Sequence, residues 1–173
     1  MTTVFLSAAV GQLNAGLKKI RHCLDQLTEQ QIWWRAESMP CEPENPAGDE
    51  SPMSSIANLL LHLDGNVRQW LISGLSDAPD NRDRQAEFDD RSLRQSAELL
   101  TQLEATVFEA SKIILSQTDE DVLQVRHVQE FQVSGAQVLW DSVSHFQGHV
   151  QEIVHITRIQ LGDRYKFDFT PAD

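Results

Sequence analysis

Apolar positions along this chain recur at alternating steps of three and four, the spacing that lays side chains along one face of an α-helix. Leu6, Val10, Leu13, Leu17, Ile20, Leu24 and Leu27 trace such a face and predict a helix from about Thr3 to Leu27. Thr28, with Gln31 three residues on, has the form of a capping box opening a further turn before Trp33 and Trp34. The stretch from Glu37 to Pro52 holds Pro40, Pro43, Pro46, Gly48 and Pro52, and no regular element survives that density of breakers. It reads as a long connecting loop. A second helix is expected from about Ser51–Ser54 to Ser73, with Ser51 as N-cap, Pro52 in its first turn and Gly74 as its stop. Ile56, Leu59, Leu60, Leu63, Val67, Trp70 and Leu71 form its wide apolar face.

From Asp77 to Arg91 the chain is charged and without period, and reads as an irregular connection in which Arg82 and Arg84 pair with nearby acids in solvent. A third helix is predicted over about Ser92 to Ser116 from Leu93, Leu100, Leu103, Val107, Ala110 and Ile114. Val122 to Val133 has strand-like character around Gln129-Glu130, consistent with a small hairpin that Ser134-Gly135 would end. The fourth helix spans Gly135 or Ala136 to Leu161, where Gly162 stops it. One of its stripes is apolar throughout: Leu139, Val143, Phe146, Val150 and Ile153. Its other stripe reads Val138, Ser142, His145, His149, Glu152, Ile156 and Ile159, with core-like ends and a polar middle. Four long helices with core stripes define an all-α fold, a four-helix bundle with long connecting loops and a small hairpin before the last helix. The 173 residues suit a single domain spanning residues 1–173.

Composition narrows the function classes. The chain carries 14 Lys+Arg against 26 Asp+Glu, a net charge of -12, which opposes binding to nucleic acid or an anionic membrane surface. No apolar run is long enough to span a bilayer, and no basic segment followed by an apolar one resembles a signal peptide, so cytoplasm is the expected compartment. Cys23 and Cys41 form no CxxC pair and read as two reduced thiols.

The chemistry sits in the polar interruptions of the apolar faces. His145 and His149 lie four apart, one turn from each other on one face of the fourth helix. His62 borders the apolar face of the second helix, with Asn58 and Asn66 one turn to either side. If the two polar strips face each other, three imidazoles can hold one divalent transition-metal ion, zinc or nickel by donor type, with a position left for water or substrate. The competing reading is a satisfied polar core, in which the imidazoles bond one another or water. Glu152, one turn beyond His149, is a candidate acceptor behind a metal ligand or a base for a metal-assisted hydrolase. It does not stand between the histidines as in HExxH, so metalloprotease chemistry lacks support. His22, His127 and His155 have no partner pattern. Trp33, Trp34 and Trp70 are core residues by default, with a pocket wall as the alternative.

Two segments, Ser55-Ile56-Ala57-Asn58-Leu59-Leu60-Leu61-His62-Leu63 and His145-Phe146-Gln147-Gly148-His149, resemble the DinB/YfiT-like superfamily, in the order that superfamily places them. Gly65-Asn66-Val67-Arg68-Gln69-Trp70 and Arg82-Asp83-Arg84 resemble a branch whose members mostly lack an assigned reaction. The resemblance implies a four-helix bundle of unusual crossover order, often a homodimer, with a divalent metal on His62, His145 and His149. Relatives include thiol-dependent S-transferases using low-molecular-weight thiols such as bacillithiol or mycothiol, and maleylpyruvate isomerase-like enzymes. Many members follow the second histidine with Arg-Gly-Gln, where this chain has Val150-Gln151-Glu152. The expected function is therefore a metal-dependent enzyme, of the thiol-dependent S-transferase kind, acting on a small electrophile. His62, His145 and His149 would be its metal ligands, and Glu152 and Asn66 would orient water or substrate. The alternative is a non-catalytic binding or stress-related bundle with an empty or vestigial site.

Overall fold

A computed structural model describes residues 2–35, 54–76 and 78–167. Among them the chain is mostly helical, with one two-stranded antiparallel hairpin. The elements are α1 (Thr2–Leu24), α2 (Glu29–Ile32), α3 (Ile56–Val67), α4 (Arg84–Asp89), α5 (Ser96–Ser116), α6 (Asp119–Leu123), β1 (Val125–Val128), β2 (Phe131–Ser134) and α7 (Gly135–Leu161). α3 runs directly into a π-helical turn, Arg68–Ser73, and α7 ends in a 3₁₀ turn, Gly162–Arg164.

The apolar faces predicted for α1, α3, α5 and α7 meet in one continuous core. Leu13, Ile20, Ile56, Leu63, Leu103, Ile114, Phe146 and Ile153 are each wholly shielded from solvent. Side-chain bonds fix the helix directions. The Gln147 amide donates to the Gln12 carbonyl at 2.6 Å and that of Gln160 to the Gln31 carbonyl at 3.0 Å, so α1 and α7 run the same way. α3 and α5 are likewise parallel: Gln102 donates to Asp64 at 2.8 Å and Gln117 to the Leu75 carbonyl at 3.4 Å. α1 opposes α5, since Arg21 pairs with Glu104 while Glu29 reaches Ser96.

Several boundaries differ from the expectation, each for a local reason. The second long helix begins at Ile56, where the Ser55 hydroxyl accepts the Asn58 N–H at 3.1 Å. The expected cap Ser51, Pro52 and the breaker-rich stretch before them lie outside the described residues. The third begins at Ser96 because Leu93 is in the left-handed region (φ 55°), which no helix propagates through. Leu93 is 64% exposed and not in the core stripe. Glu29 supplies the missing cap across space, accepting the Ser96 N–H at 3.1 Å and its hydroxyl at 2.7 Å. The Thr28–Gln31 capping box forms as predicted. Val122, expected near the hairpin, belongs to α6, which opens with a second capping box from Thr118 and Asp121. The hairpin itself is present, with Val128 opposite Phe131 around Gln129-Glu130. Ile159, at the end of the mixed stripe of α7, is exposed.

α1 and α7 approach closely at Gly16, where an added Cβ would stand 2.6 Å from the Phe146 ring. Gly11, on the same helix, has nothing within 4 Å of that position. Gly11→Ala is therefore expected to raise stability by about 0.5–1 kcal/mol through helix propensity. Gly16→Ala should lower it by about 1–3 kcal/mol despite the same propensity gain, because the fully buried Phe146 has nowhere to move. Paired denaturant melts check both signs.

Candidate metal centre

The polar strips of α3 and α7 face each other, as their interruption of apolar stripes required. The ring centroids of His62, His145 and His149 lie 5.2, 4.9 and 4.5 Å apart. One ligand atom from each lies within 4.8 Å of the others. His62 Nε2 is 3.0 Å from His145 Nε2. Two nitrogens on one tetrahedral ion at ordinary metal–nitrogen distances stand about 3.3 Å apart, so this pair is already near that spacing. The site opens on a cleft of about 390 Å³ whose wall also includes Asn66, Trp70, Arg84, Phe88, Gln129 and Ser142.

His62 is placed by neighbours that sequence spacing did not reveal. The segment expected to be irregular and solvated forms α4, capped by Asp83, whose carboxylate accepts the Ala86 N–H at 3.0 Å. α4 brings Glu87 against His62, with Oε2 at 3.1 Å from Nδ1. Arg82 grips that carboxylate through two bonds, Nε to Oε1 at 2.7 Å and Nη2 to Oε2 at 2.8 Å. Far from being a solvated loop pair, the Arg82 and Glu87 side chains are 5% and 11% exposed. Gly65 makes room for them, since a Cβ there would fall 1.9 Å from Glu87 Oε1. Asn58, wholly buried, anchors the same segment by donating to the Glu87 carbonyl at 2.9 Å and the Asp90 carbonyl at 3.2 Å. Gly65, a glycine inside a helix pattern, was a weak signal for this arrangement, since Gly11 and Gly148 stand in helices with nothing within 4 Å.

The network continues into the π-helical turn, where the Gly74 N–H donates to the Gln69 carbonyl at 3.0 Å. The Gln69 side-chain oxygen accepts from Arg82 Nη1 at 2.9 Å and from Gln129 at the hairpin tip at 2.7 Å. Trp70, from the same turn, forms cleft wall and packs on Phe131 at 5.9 Å. Trp33 packs against the core with its indole N–H on the Arg94 carbonyl, and Trp34 is 39% exposed.

On α7, His149 Nδ1 meets Glu152 Oε2 at 2.7 Å. Glu152 thus stands behind His149 and is not part of the cleft wall. Asn66 is in that wall, one turn beyond His62. His155 and His127 are exposed, and His22 bonds the Lys166 carbonyl at 2.5 Å, away from the cluster.

Burial, followed by the neighbouring imidazoles His149 and His62, pulls His145 down to about 4. His62 is also lowered, chiefly by burial and against the pull of Glu87. For Glu87, burial acts upward, but hydrogen bonds from Arg82 and His62 prevail and hold it below the usual carboxylate range. At neutral pH His62 and His145 are therefore neutral and Glu87 is ionised, the forms of these groups that suit a metal ligand and its acceptor. Two tautomers of His62 fit the geometry. In one, Nδ1 accepts from Arg82 Nη2 at 3.0 Å and Nε2–H donates to His145. In the other, Nδ1–H donates to Glu87 and the Nε2 lone pair is free for an ion.

The lowered His145 makes stability pH-dependent. The unfolded chain takes up this proton near 6.5, the folded one only near 4. Between those values the unfolded state binds more protons, so stability is complete above 6.5 and falls as pH drops through this window. Thermal melts of chelator-treated protein should show this loss, and His145→Gln should reduce it, leaving the part that the lowered His62 contributes. Gly65→Ala should lower the melting temperature at all pH values by forcing Glu87 away from α3.

No curated protein matches the chain. The family described as "Protein of unknown function (DUF1572)" matches residues 1–170. With that match covering nearly its whole length, the chain belongs to the DUF1572 family, within the DinB-like clan.

Proposed function

We propose that this protein is a metal-dependent enzyme acting on a small molecule, built as a single-domain DinB-like four-helix bundle. The observation that carries this reading is the convergence of His62, His145 and His149 at the head of an open cleft. The donor set fits a borderline divalent ion such as zinc or nickel: three imidazoles, two of them backed by carboxylates, and room beside them. When bound, such an ion lowers the pKa of an adjacent thiol or water, leaving a nucleophile at neutral pH. The chain's own residues do the rest. Glu87, gripped by Arg82, holds His62 in the tautomer that directs Nε2 into the site. Glu152 does the same for His149. Asn66 orients a molecule in the cleft, and Trp70 and Phe88 restrict water access to it.

The resemblance to thiol-dependent S-transferases favours a low-molecular-weight thiol as nucleophile and a small electrophile as its partner. The sulfur would bond the electrophilic carbon, the leaving group would depart with its electron pair, and the thiol proton would pass to solvent. Homodimerisation rests on the same resemblance. No helix among the described residues is long and apolar enough to cross a membrane.

One observation favours a non-catalytic helical protein instead. The 3.0 Å contact between His62 and His145 lets the imidazoles satisfy each other without an ion. Elemental mass spectrometry separates the two readings. Near-stoichiometric zinc or nickel is expected in untagged protein, with loss of metal and turnover in His149→Ala and in a His145→Ala/His149→Ala variant. Glu87→Gln should retain the metal but bind it about 10–100-fold more weakly. Absence of metal after reconstitution with divalent ions would establish the non-catalytic reading.

A further inference from the structure

The cleft wall holds one buried polar atom that no described residue satisfies, and a side-chain amide beside it. Ser142 is 4% exposed, and its Oγ has no hydrogen-bond partner among the described residues. Asn66 is 8% exposed and lines the same cleft, where its side-chain amide can be met by water. Buried hydroxyls and amides almost always have partners, because losing water without replacing it is costly. Both groups line the cleft, and each stands one turn from a histidine of the cluster, Asn66 from His62 and Ser142 from His145. They therefore flank the cluster from facing helices.

What they would bind follows from their chemistry and charge. Ser142 offers an O–H and Asn66 two N–H donors. Arg84, stacked on Phe88 at 4.9 Å, carries a cation on the same wall with no ion-pair partner among the described residues. Asp141, exposed and bonded by the Gln137 amide at 2.7 Å, is the one carboxylate among the described wall residues, and it keeps its charge. Donors together with an unmatched guanidinium select an oxyanion, and a bound divalent ion strengthens that preference.

We propose that Ser142 and Asn66 form a carboxylate subsite beside the histidine cluster, with Arg84 at its rim. The thiol used at this site is then a mercaptocarboxylate, with its sulfur toward the three imidazoles and its carboxylate toward Ser142 and Asn66. This inference rests on the metal-dependent reading given above.

The test uses the cobalt(II)-loaded full chain, titrated with mercaptoacetate and with its neutral analogue mercaptoethanol. Absorption from thiolate–cobalt charge transfer reports binding. In the parent, mercaptoacetate is expected to bind about tenfold more tightly or better. In Ser142→Ala and in Asn66→Asp, which places a repelling charge in the subsite, the two thiols should bind within about twofold of each other. Equal affinities in the parent, or a preference that survives both substitutions as simple chelation would, overturn the subsite and leave the metal reading intact. Failure of the parent to take up cobalt overturns both. Ser142→Ala supplies a second readout: removing an unpaired buried hydroxyl should leave the melting temperature of the metal-free protein unchanged or higher. A fall of several degrees would show that the hydroxyl serves the fold, and would overturn its assignment to a ligand.

Discussion

Polar groups on the inner faces of α3 and α7 must each find a partner once water is removed, and much of the architecture around the cleft answers that demand. Asn58, His62 and Ser142 are nearly or wholly buried in stripes that are otherwise apolar. An unpaired imidazole or amide there would cost free energy comparable to a large share of the stability of a small protein. The remedy is a charged segment drawn inward. Arg82 and Glu87 are buried as a bidentate pair whose remaining capacity is spent on His62 and Gln69. A buried ion pair of this kind is weak evidence for stability, because desolvation offsets most of its attraction. Its effect is directional: it fixes one ring in one orientation.

That fixation links the segments Gly65–Trp70 and Arg82–Arg84. Gly65 on α3 accepts the Glu87 carboxylate at a distance no side chain would permit, and Asn58 clamps the backbone of α4 from the other side. The π-helical turn then supplies Gln69 and Trp70, and the hairpin tip supplies Gln129 to Gln69. Gln129 sits in the left-handed region (φ 54°), an unusual conformation for a non-glycine residue and one found often near functional sites. π-helical turns have the same association. These two irregularities meet at the cleft wall, through Trp70 and Gln129.

The cluster has two internally consistent proton arrangements, and this matters for how the site works. With a proton on His62 Nε2, the imidazoles bond one another and Arg82 faces Nδ1. With the proton on Nδ1, Glu87 accepts it and Nε2 is available. The described residues thus offer the buried His62 ring a partner in either state. Selection between the states costs only a tautomer change, not a repacking of α3 against α7.

By itself the sequence determined the four long helices, the hairpin, the α2 capping box and the three histidines. These features depend on periodicity, capping and local spacing, which act over a few residues. Glu152 behind His149 was legible for the same reason, lying one turn away on one helix. Only the tertiary structure decided that Glu87 and Arg82 face His62, that Glu29 caps α5, and that Ser142 has no hydrogen-bond partner among the described residues. These relationships join residues 25 or 67 positions apart in sequence, or depend on what a facing helix fails to supply. The charged segment before α5 reads as solvated because burying an arginine and a glutamate is costly in isolation. It becomes favourable only beside a partner already paid for by the core, a buried imidazole that needs an acceptor and a glycine that makes room for it.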